Sequence, residues 1–203
     1  MAKEKNFGYI KSTITGAEPK VDMFTPFVQI PESYELKSLS SVKDQGNKPI
    51  CASEVISEMV RWKLAVKNRE ASFSDSVFYD LNPESTKDGM TPKSGLETLL
   101  KNSKNITGID FTTYALVMSK ELAKLSIMQH GPLLVGLPVR DSSRSDFWKG
   151  GSIVGGHAVA FVGFDEYGFK LKNSWGYSYG NGGYYDFPYG DVNCIYEMWA
   201  LIG

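Results

Sequence analysis

The sequence predicts an α+β fold in which a helical N-terminal lobe packs against an antiparallel β-sheet or barrel lobe. The first half of the chain, after about residue 30, shows helical periodicity and helix caps. The second half consists of short apolar or alternating runs divided by Gly, Asp and Asn. Helices followed by strands are typical of an α+β protein, and the interface between two such lobes is a natural cleft.

The order of the predicted elements follows from local patterns. Residues 1–30 lack sustained periodicity and are expected to form an extended arm, so the folded domain is assigned to 31–203. Apolar residues recur at three- to four-residue spacing from Cys51 onward, which predicts a helix that begins there. Further helices are expected after Ser74, after the Thr91–Pro92 cap and over 119–130. Strands are predicted over 133–139, 157–164, 168–173, 183–187 and 196–202.

The composition argues against several kinds of partner. A formal net charge of −1, with 22 basic and 23 acidic residues, provides no long-range attraction to nucleic acid or to an anionic membrane. No window approaches the ~20 apolar residues of a membrane span, and the N-terminus has no apolar signal-peptide core. The two cysteines, Cys51 and Cys194, do not form a disulfide framework, so a cytoplasmic or other reducing intracellular compartment is expected. The oligomeric state leaves no signal in the sequence.

Cys51 is the candidate nucleophile. Asn47, Lys48 and Pro49 form a good turn before it, so the cysteine stands at a helix N-terminus. The unpaired N–H groups and positive dipole end of a helix favour the thiolate, which is the nucleophilic form. A lone cysteine more often simply packs in a core, so the assignment depends on a base and an orienting group elsewhere in the chain.

His157 and Asn173 provide that base and that orienting group. His157 is predicted at the start of a strand, from which its ring can project into a cleft, whereas His130 ends a predicted helix and is given a structural role. The Asn173 amide can accept a hydrogen bond from one imidazole nitrogen, and Trp175 can shield that bond from water. Each residue has a plausible structural role alone, but together with Cys51 they indicate nucleophilic catalysis. No metal or other cofactor is expected, because two distant histidines give no ligand spacing.

In these segments the chain resembles the papain-like cysteine peptidases. Gln45 precedes Cys51 by six positions, as in the family's QGxCGSC segment. HAVAFVGF, which begins at His157, is similar to the family's HAVxxVGY strand, and LKNSWG, which contains Asn173, is similar to its IKNSWG. The sixteen positions between histidine and asparagine are the usual family distance. The resemblance covers roughly residues 30–203 and implies a papain-like two-lobe fold with the active site in the cleft.

The resemblance also implies roles for these residues. It implies a cysteine endopeptidase with a polypeptide substrate, in which Gln45 and the Cys51 N–H form the oxyanion hole and His157 protonates the leaving amine. The expected substrate-binding residues are Gly89, Met90, Gly136, Gly155, Gly156, Ala158 and Trp175. The glycine–methionine pair is expected to bind the substrate backbone. The small residues should leave a wide pocket for a bulky apolar or aromatic side chain, that of the second residue before the cut bond.

The chain departs from the family pattern at several positions. Lys48 replaces a half-cystine, Pro49 replaces a glycine whose backbone lies near the substrate, and Ala52 replaces a tryptophan. From cysteine to histidine there are 106 positions, fewer than the ~130 to 150 of papain and the cathepsins. A long inhibitory prosegment is not expected. Either the first 30 or so residues suffice as a cover, or location or partners restrain the enzyme.

Two other functions stay open. One is a papain-like binding or structural component with impaired catalysis, for example in a virus particle, which would explain Pro49 and Ala52. The other is a peptidoglycan hydrolase, a class that also uses a cysteine followed by a histidine. The presence of all four polar groups of the site favours the peptidase over the first. The spacing from Gln45 to Cys51 and the NSWG segment that begins at Asn173 do not suit the second. A virus-encoded or virion-associated protein is compatible with the small, disulfide-free chain.

Overall fold

Four α-helices and seven β-strands make up the part of the chain that the computed structural model describes, residues 7–142 and 145–203. The helices are α1 (Cys51–Ala65), α2 (Val77–Asp80), α3 (Pro92–Thr107) and α4 (Lys120–His130). The strands are β1 (Tyr34–Glu35), β2 (Thr113–Leu116), β3 (Leu133–Arg140), β4 (Ile153–Phe164), β5 (Gly168–Lys172), β6 (Tyr184–Pro188) and β7 (Glu197–Ile202). Short 3-10 helices cover Val21–Met23 and Tyr189–Cys194. Most helices precede most strands, which confirms the predicted α+β class.

The strands form one antiparallel sheet in the order β2-β7-β3-β4-β5-β6, with β1 added to β4. Within the described residues the sheet is open, because β2 and β6 lie at its two ends and do not pair with each other. The barrel that the sequence offered as an alternative to a sheet is therefore wrong. Closure would need β2 and β6 to pair, directly or through another strand, and the two-residue β1 pairs with Gly163 and Phe164 of β4 instead.

Local sequence signals account for the boundaries of the longer helices. The Thr91 hydroxyl accepts a hydrogen bond from Ser94 N–H at 3.1 Å at the start of α3. Gly108 ends that helix in the left-handed conformation, with φ +69°. Ser119 caps α4 in the same way, through Leu122 N–H at 3.1 Å. The cap predicted at Thr91 is confirmed, and the helix predicted over 119–130 is found over Lys120–His130.

The core lies between α1 and the sheet. Apolar side chains on two faces of α1 are buried, including Ile56, Met59 and Val60, none of which is more than 1% exposed. The helix packs against β3 and β4. Burial on two faces prevents rotation of the helix about its axis, so Cys51 at its first residue has a defined position.

Among the described helices, none is long and apolar enough to cross a membrane.

Residues 7–30 lie on the surface of the domain as the predicted arm. Its contacts with the domain include Glu18 Oε1 with Lys93 Nζ at 2.7 Å, Pro19 O with Leu116 N–H at 2.7 Å, and Thr25 Oγ1 with His130 Nε2 at 2.9 Å. Val21 is fully buried between these contacts. Residues 1–6 of the predicted arm lie outside the described residues. The arm is thus attached to the domain along much of its length.

Candidate active site

Cys51 is the first residue of α1 and is fully buried. Its Sγ accepts a hydrogen bond from Ala158 N–H at 3.4 Å. Ile50, at the N-cap, has an apolar side chain that cannot cap the first turn, so the helix end keeps its positive character toward the sulfur. The contact with Ala158 brings the candidate nucleophile next to His157, the preceding residue of β4.

His157 lies inside β4 and not at the start of a strand as predicted. The strand begins four residues earlier, at Ile153, and His157 faces Leu137 of β3 in the ladder. Gly155 and Gly156 continue the pairing with β3 instead of forming a turn, which is why the strand extends beyond the prediction. A position inside a paired strand gives the histidine a more rigid base than a strand end would.

The imidazole of His157 is held from two sides. Nε2 lies 2.7 Å from Asn173 Oδ1, and the ring stacks on Trp175 with centroids 4.4 Å apart. Phe147 contacts both rings, at 5.8 Å from His157 and 4.8 Å from Trp175. Because Nε2 is directed at the amide oxygen, Nδ1 is the ring nitrogen that can exchange a proton with a group in the cleft. Sequence reasoning missed Phe147, which lies in a segment without periodicity.

Gln45 is buried and oriented by Ser174. The Ser174 hydroxyl donates to Gln45 Oε1 at 2.7 Å, and Gln45 N–H donates to Ser174 O at 2.9 Å. With the amide oxygen held in this way, Nε2 points the other way and donates to Lys48 O at 3.0 Å. A glutamine amide carries two N–H groups, so the second can serve another acceptor. The structure thus brings Gln45 to the residue that follows Asn173, as the site predicted from sequence requires.

The chain's own N-terminal arm fills the cleft. Residues 7–12, which we name the cleft segment, run past Met90 in extended form. Met90 N–H donates to Gly8 O, and Ile10 N–H donates to Met90 O, both at 3.2 Å. Gly8 has φ +72° and packs so closely on Pro49 that an added Cβ would lie 2.3 Å from the Pro49 carbonyl carbon. Gly89 is equally close to the segment, since a Cβ on it would lie 2.0 Å from Gly8 O.

Tyr9 occupies the pocket predicted for a substrate side chain. Its ring lies against Gly136 and Gly156, where an added Cβ would come within 2.4 and 2.3 Å of the tyrosine. Its hydroxyl donates to Glu197 Oε1 at 2.6 Å. The small residues therefore do leave room for an aromatic ring, although the ring present is the protein's own. That a substrate side chain uses the same pocket stays a prediction.

Phe7 extends the cleft segment toward the histidine. An added Cβ on Gly155 would lie 2.7 Å from the Phe7 ring, and the ring centroid is 5.9 Å from that of Trp175. The segment thus runs from the aromatic cluster beside His157 to the pocket that holds Tyr9. Six of the seven residues predicted to bind substrate have a described contact with the cleft segment. The described contact of the seventh, Ala158, is that of its backbone N–H with Cys51 Sγ.

Burial dominates the electrostatics of Cys51. Removal from water raises the pKa of the thiol to about 12, although the backbone N–H groups of Ala158 and Ala52 act in the opposite direction. The donors at the helix N-terminus that favour a thiolate are therefore present, but burial outweighs them while the cleft is filled. In this closed arrangement the sulfur is held as a thiol at neutral pH.

Glu54 makes the stability of the fold depend on pH. Burial and the negative charge of Asp75 raise the pKa of the Glu54 carboxyl from 4.5 to about 7. The folded chain therefore binds this proton more tightly than the unfolded chain, and stability falls as the pH rises from about 4.5 to about 7. Glu54→Gln is expected to remove this loss. The change that it causes in the free energy of unfolding should therefore be more favourable at pH 8 than at pH 4, by about 2 kcal/mol.

Thermal melting of the wild type and of Glu54→Gln between pH 4 and pH 8 measures the Glu54 effect. Glu32→Gln, at an exposed position, is the matched control. It should change the melting temperature little, and by the same amount at pH 4 and at pH 8. A difference between wild type and Glu54→Gln that does not change with pH would contradict the assignment.

A family model described as the papain family of cysteine proteases matches residues 61–202. The matched stretch is 142 of the 203 residues and includes His157 and Asn173. It begins ten residues after Cys51, so the candidate nucleophile and Gln45 lie outside it. Their assignment to the site depends on the geometry described above.

Individual proteins show the same similarity. An uncharacterised peptidase C1-like protein of Acanthamoeba polyphaga mimivirus is 32% identical over 121 residues, which cover 52% of this chain and 39% of the viral protein. This chain therefore matches less than half the length of that relative. Xylellain, a cysteine protease from Xylella fastidiosa, superposes with a TM-score of 0.81 at 19% identity over 98% of this chain and 97% of its own. Digestive procathepsin L 3 of Tenebrio molitor gives 0.71 at 20% identity over 91% and 73%. At these identities the two structures show the fold.

Proposed function

Because this chain belongs to the papain family of cysteine proteases, we propose that it is a cysteine endopeptidase that hydrolyses polypeptides through Cys51 and His157. The observation that carries the proposal is the 3.4 Å contact of Cys51 Sγ with Ala158 N–H, one residue from an imidazole held 2.7 Å from Asn173. A nucleophile beside an oriented base is the arrangement that covalent acyl transfer needs.

The proposed reaction has two halves. The Cys51 thiolate attacks the carbonyl carbon of a peptide bond, and the carbonyl oxygen takes up the negative charge. His157, which holds the proton from the thiol, gives it to the leaving amine as the C–N bond breaks, and a thioester is left on Cys51. Water then attacks the thioester while His157 accepts its proton, which releases a carboxylic acid and the sulfur. Asn173 keeps the imidazole in one orientation throughout, and Trp175 shields their hydrogen bond from water.

Gln45 is proposed to stabilise the oxyanion together with the Cys51 N–H. Gln45→Ala is expected to lower kcat by ~10² to 10³, the loss found for one oxyanion donor in serine proteases. KM should change little, because the hydrogen bond strengthens as charge develops on the oxygen. Steady-state hydrolysis of a fluorogenic peptide measures both constants.

Ser174→Ala is the matched control for Gln45. It removes the hydroxyl that orients the amide at 2.7 Å but leaves the amide itself, so a smaller loss of kcat is expected. Melting temperatures of both variants show whether the fold is retained. A Gln45→Ala chain with raised KM and unchanged kcat would mean that the glutamine binds substrate and does not stabilise the transition state.

The cleft segment has to leave before a substrate can bind. It takes both backbone groups of Met90, and the nucleophile is fully buried in its presence. The proposed resting state is therefore closed, with activity limited by the fraction of molecules in which the segment is displaced.

Covalent labelling with an epoxide inhibitor of papain-like peptidases tests the proposed function. The purified, reduced chain and its Cys51→Ala and His157→Ala variants are incubated with the inhibitor and weighed intact. One added inhibitor mass is expected on the wild type and none on either variant. Tyr9→Ala, which weakens the cleft segment, should label faster. If neither the wild type nor folded Tyr9→Ala is labelled, the peptidase is rejected.

A papain-like binding component without catalysis is the second candidate. The complete burial of Cys51 and the filled cleft favour it, because both are properties of a site that is not in use. Failure of the labelling experiment would select this candidate. A virus-encoded origin is part of this proposal, since one relative of the chain is encoded by a giant virus.

A further inference from the structure

A buried carboxylate lies at the end of the pocket that Tyr9 occupies. Glu197 is the first residue of β7, faces Gly136 in the ladder with β3, and is 5% exposed. Its Oε1 accepts hydrogen bonds from Tyr9 O–H at 2.6 Å and from Ser12 N–H at 2.9 Å. Its Oε2 accepts from Trp199 Nε1–H at 2.6 Å. Three donors thus satisfy a buried carboxylate that would be costly to leave without partners.

These donors do not all belong to the same part of the chain. Trp199 is part of the sheet and stays with Glu197 when the cleft opens. Tyr9 and Ser12 belong to the cleft segment and leave with it, so Oε1 loses both of its protein donors. An incoming side chain that brings no donor would keep water away from this oxygen and leave it unsatisfied, which is unfavourable for binding.

The walls of the pocket favour a flat ring. The Tyr9 ring stacks against Tyr196, with centroids 6.0 Å apart and planes at 20°. Gly136 and Gly156 line the ring with backbone only. In this slot the phenol oxygen is placed at hydrogen-bond distance from Glu197. A phenylalanine would fill the slot but bring no donor, and a lysine or arginine would bring a donor but no aromatic ring.

We propose that Glu197 is a specificity-determining residue and that the side chain it selects from a polypeptide is tyrosine. The proposal rests on the proposed function, because it assigns the substrate class of the same cleft. It refines the expectation of a bulky apolar or aromatic side chain: the pocket discriminates between two aromatic residues by one hydroxyl group. Such discrimination is strong where a buried polar group is otherwise left unpaired.

The peptide FGYIKS, which has the sequence of residues 7–12, tests the proposal with two analogues, FGFIKS and FGRIKS. Their binding to the full-length Tyr9→Ala chain is measured by calorimetry. We expect FGYIKS to bind about tenfold or more tightly than either analogue, as for a hydrogen bond to a charged group. Equal binding of FGYIKS and FGFIKS would overturn the role of Glu197, and tighter binding of FGRIKS would overturn the selection of tyrosine.

Glu197→Gln in the same background keeps the size of the side chain but removes its charge. The preference for FGYIKS over FGFIKS is expected to fall to about threefold or less. A preference that is unchanged in Glu197→Gln would mean that the ring slot alone recognises tyrosine, which contradicts the proposal. The Tyr-to-Phe comparison in the chain that retains Glu197 stands even if this variant does not fold.

Binding also separates this inference from the proposed function. The peptides are measured a second time on a Tyr9→Ala, Cys51→Ala chain, in which the proposed nucleophile is missing. Selective binding of FGYIKS without any inhibitor labelling of Tyr9→Ala would reject the peptidase and keep the pocket assignment. Labelling of Cys51 with no selectivity among the peptides would keep the peptidase and reject the pocket assignment.

Discussion

Cys51→Ala is expected to abolish peptide hydrolysis, with kcat reduced by about 10⁶, as on removal of the nucleophile from a serine protease. The sulfur forms the covalent bond in the proposed reaction, and no neighbouring group can replace it. The fold should be retained, because α1 is held by apolar side chains buried on two of its faces and alanine is compatible with a buried helix start. Hydrolysis of a fluorogenic peptide measures the loss of activity, and thermal melting shows whether the fold is retained.

Cys194→Ala is the matched control for this substitution. Cys194 lies in the 3-10 helix before β7, and partial burial together with the Asp191 charge raises the pKa of its thiol to about 11. The nearby positive charges of Arg140 and Lys149 act in the opposite direction but are outweighed, so the variant should hydrolyse the peptide at the wild-type rate. If Cys51→Ala hydrolysed the peptide as fast as Cys194→Ala, the proposed mechanism would be wrong.

Gly8→Val is expected to raise the rate of Cys51 labelling and of peptide hydrolysis by about 10- to 100-fold. A side chain on Gly8 meets the Pro49 backbone, with the Cβ 2.3 Å from its carbonyl carbon, and φ +72° is unfavourable for valine. A destabilisation of the closed position by about 1.5 to 3 kcal/mol converts to this increase in the open fraction. The labelling rate is read from intact mass at successive times.

Gly16→Val controls for the strain of a positive φ. Gly16 lies in the same arm with φ +86°, but an added Cβ there meets nothing within 4 Å. Its substitution strains the backbone without pushing the cleft segment off Pro49, so the labelling rate should stay near that of the wild type. Equal acceleration by both variants would point to general loosening of the arm, and no acceleration by Gly8→Val would show that the segment is not the barrier.

The central parts of the site could be predicted because their signals are local. The turn before Cys51 and the two-sided apolar pattern behind it define the start of α1. The strand that carries His157 and the strand that ends before Asn173 are continuous apolar or alternating runs. The hydrogen bond between the two residues then follows from the pairing of neighbouring antiparallel strands β4 and β5.

The sequence offered the first 30 or so residues as a cover, but which of them fill the cleft could not be predicted, because nothing local signals them. Phe7, Gly8 and Tyr9 have neither helical nor strand periodicity. Their partners lie far along the chain: Tyr9 and Glu197, for example, are 188 positions apart. Such contacts depend on how the finished domain shapes its surface, and the glycines that admit the tyrosine ring are equally compatible with tight turns.

The open edges of the sheet and its edge strands could not be predicted from the sequence either. β2, with four residues, was not predicted, because so short a run has no clear alternation, and its place at the sheet edge is set by pairing with β7. The early start of β4 was missed because Gly155 and Gly156 are typical turn residues. There the ladder with β3 outweighs the local preference.

The cleft segment is covalently attached to the protein whose cleft it fills, so this attachment determines how often the cleft is occupied. A tethered peptide has an effective concentration in the millimolar range at its own site, whatever the amount of protein in solution. Dilution therefore does not release the segment, and a competing peptide has to overcome the local concentration as well as the contacts. The fraction of molecules in the closed state is then the same at every protein concentration. It changes when a contact that attaches the arm is broken, such as the ion pair of Glu18 with Lys93.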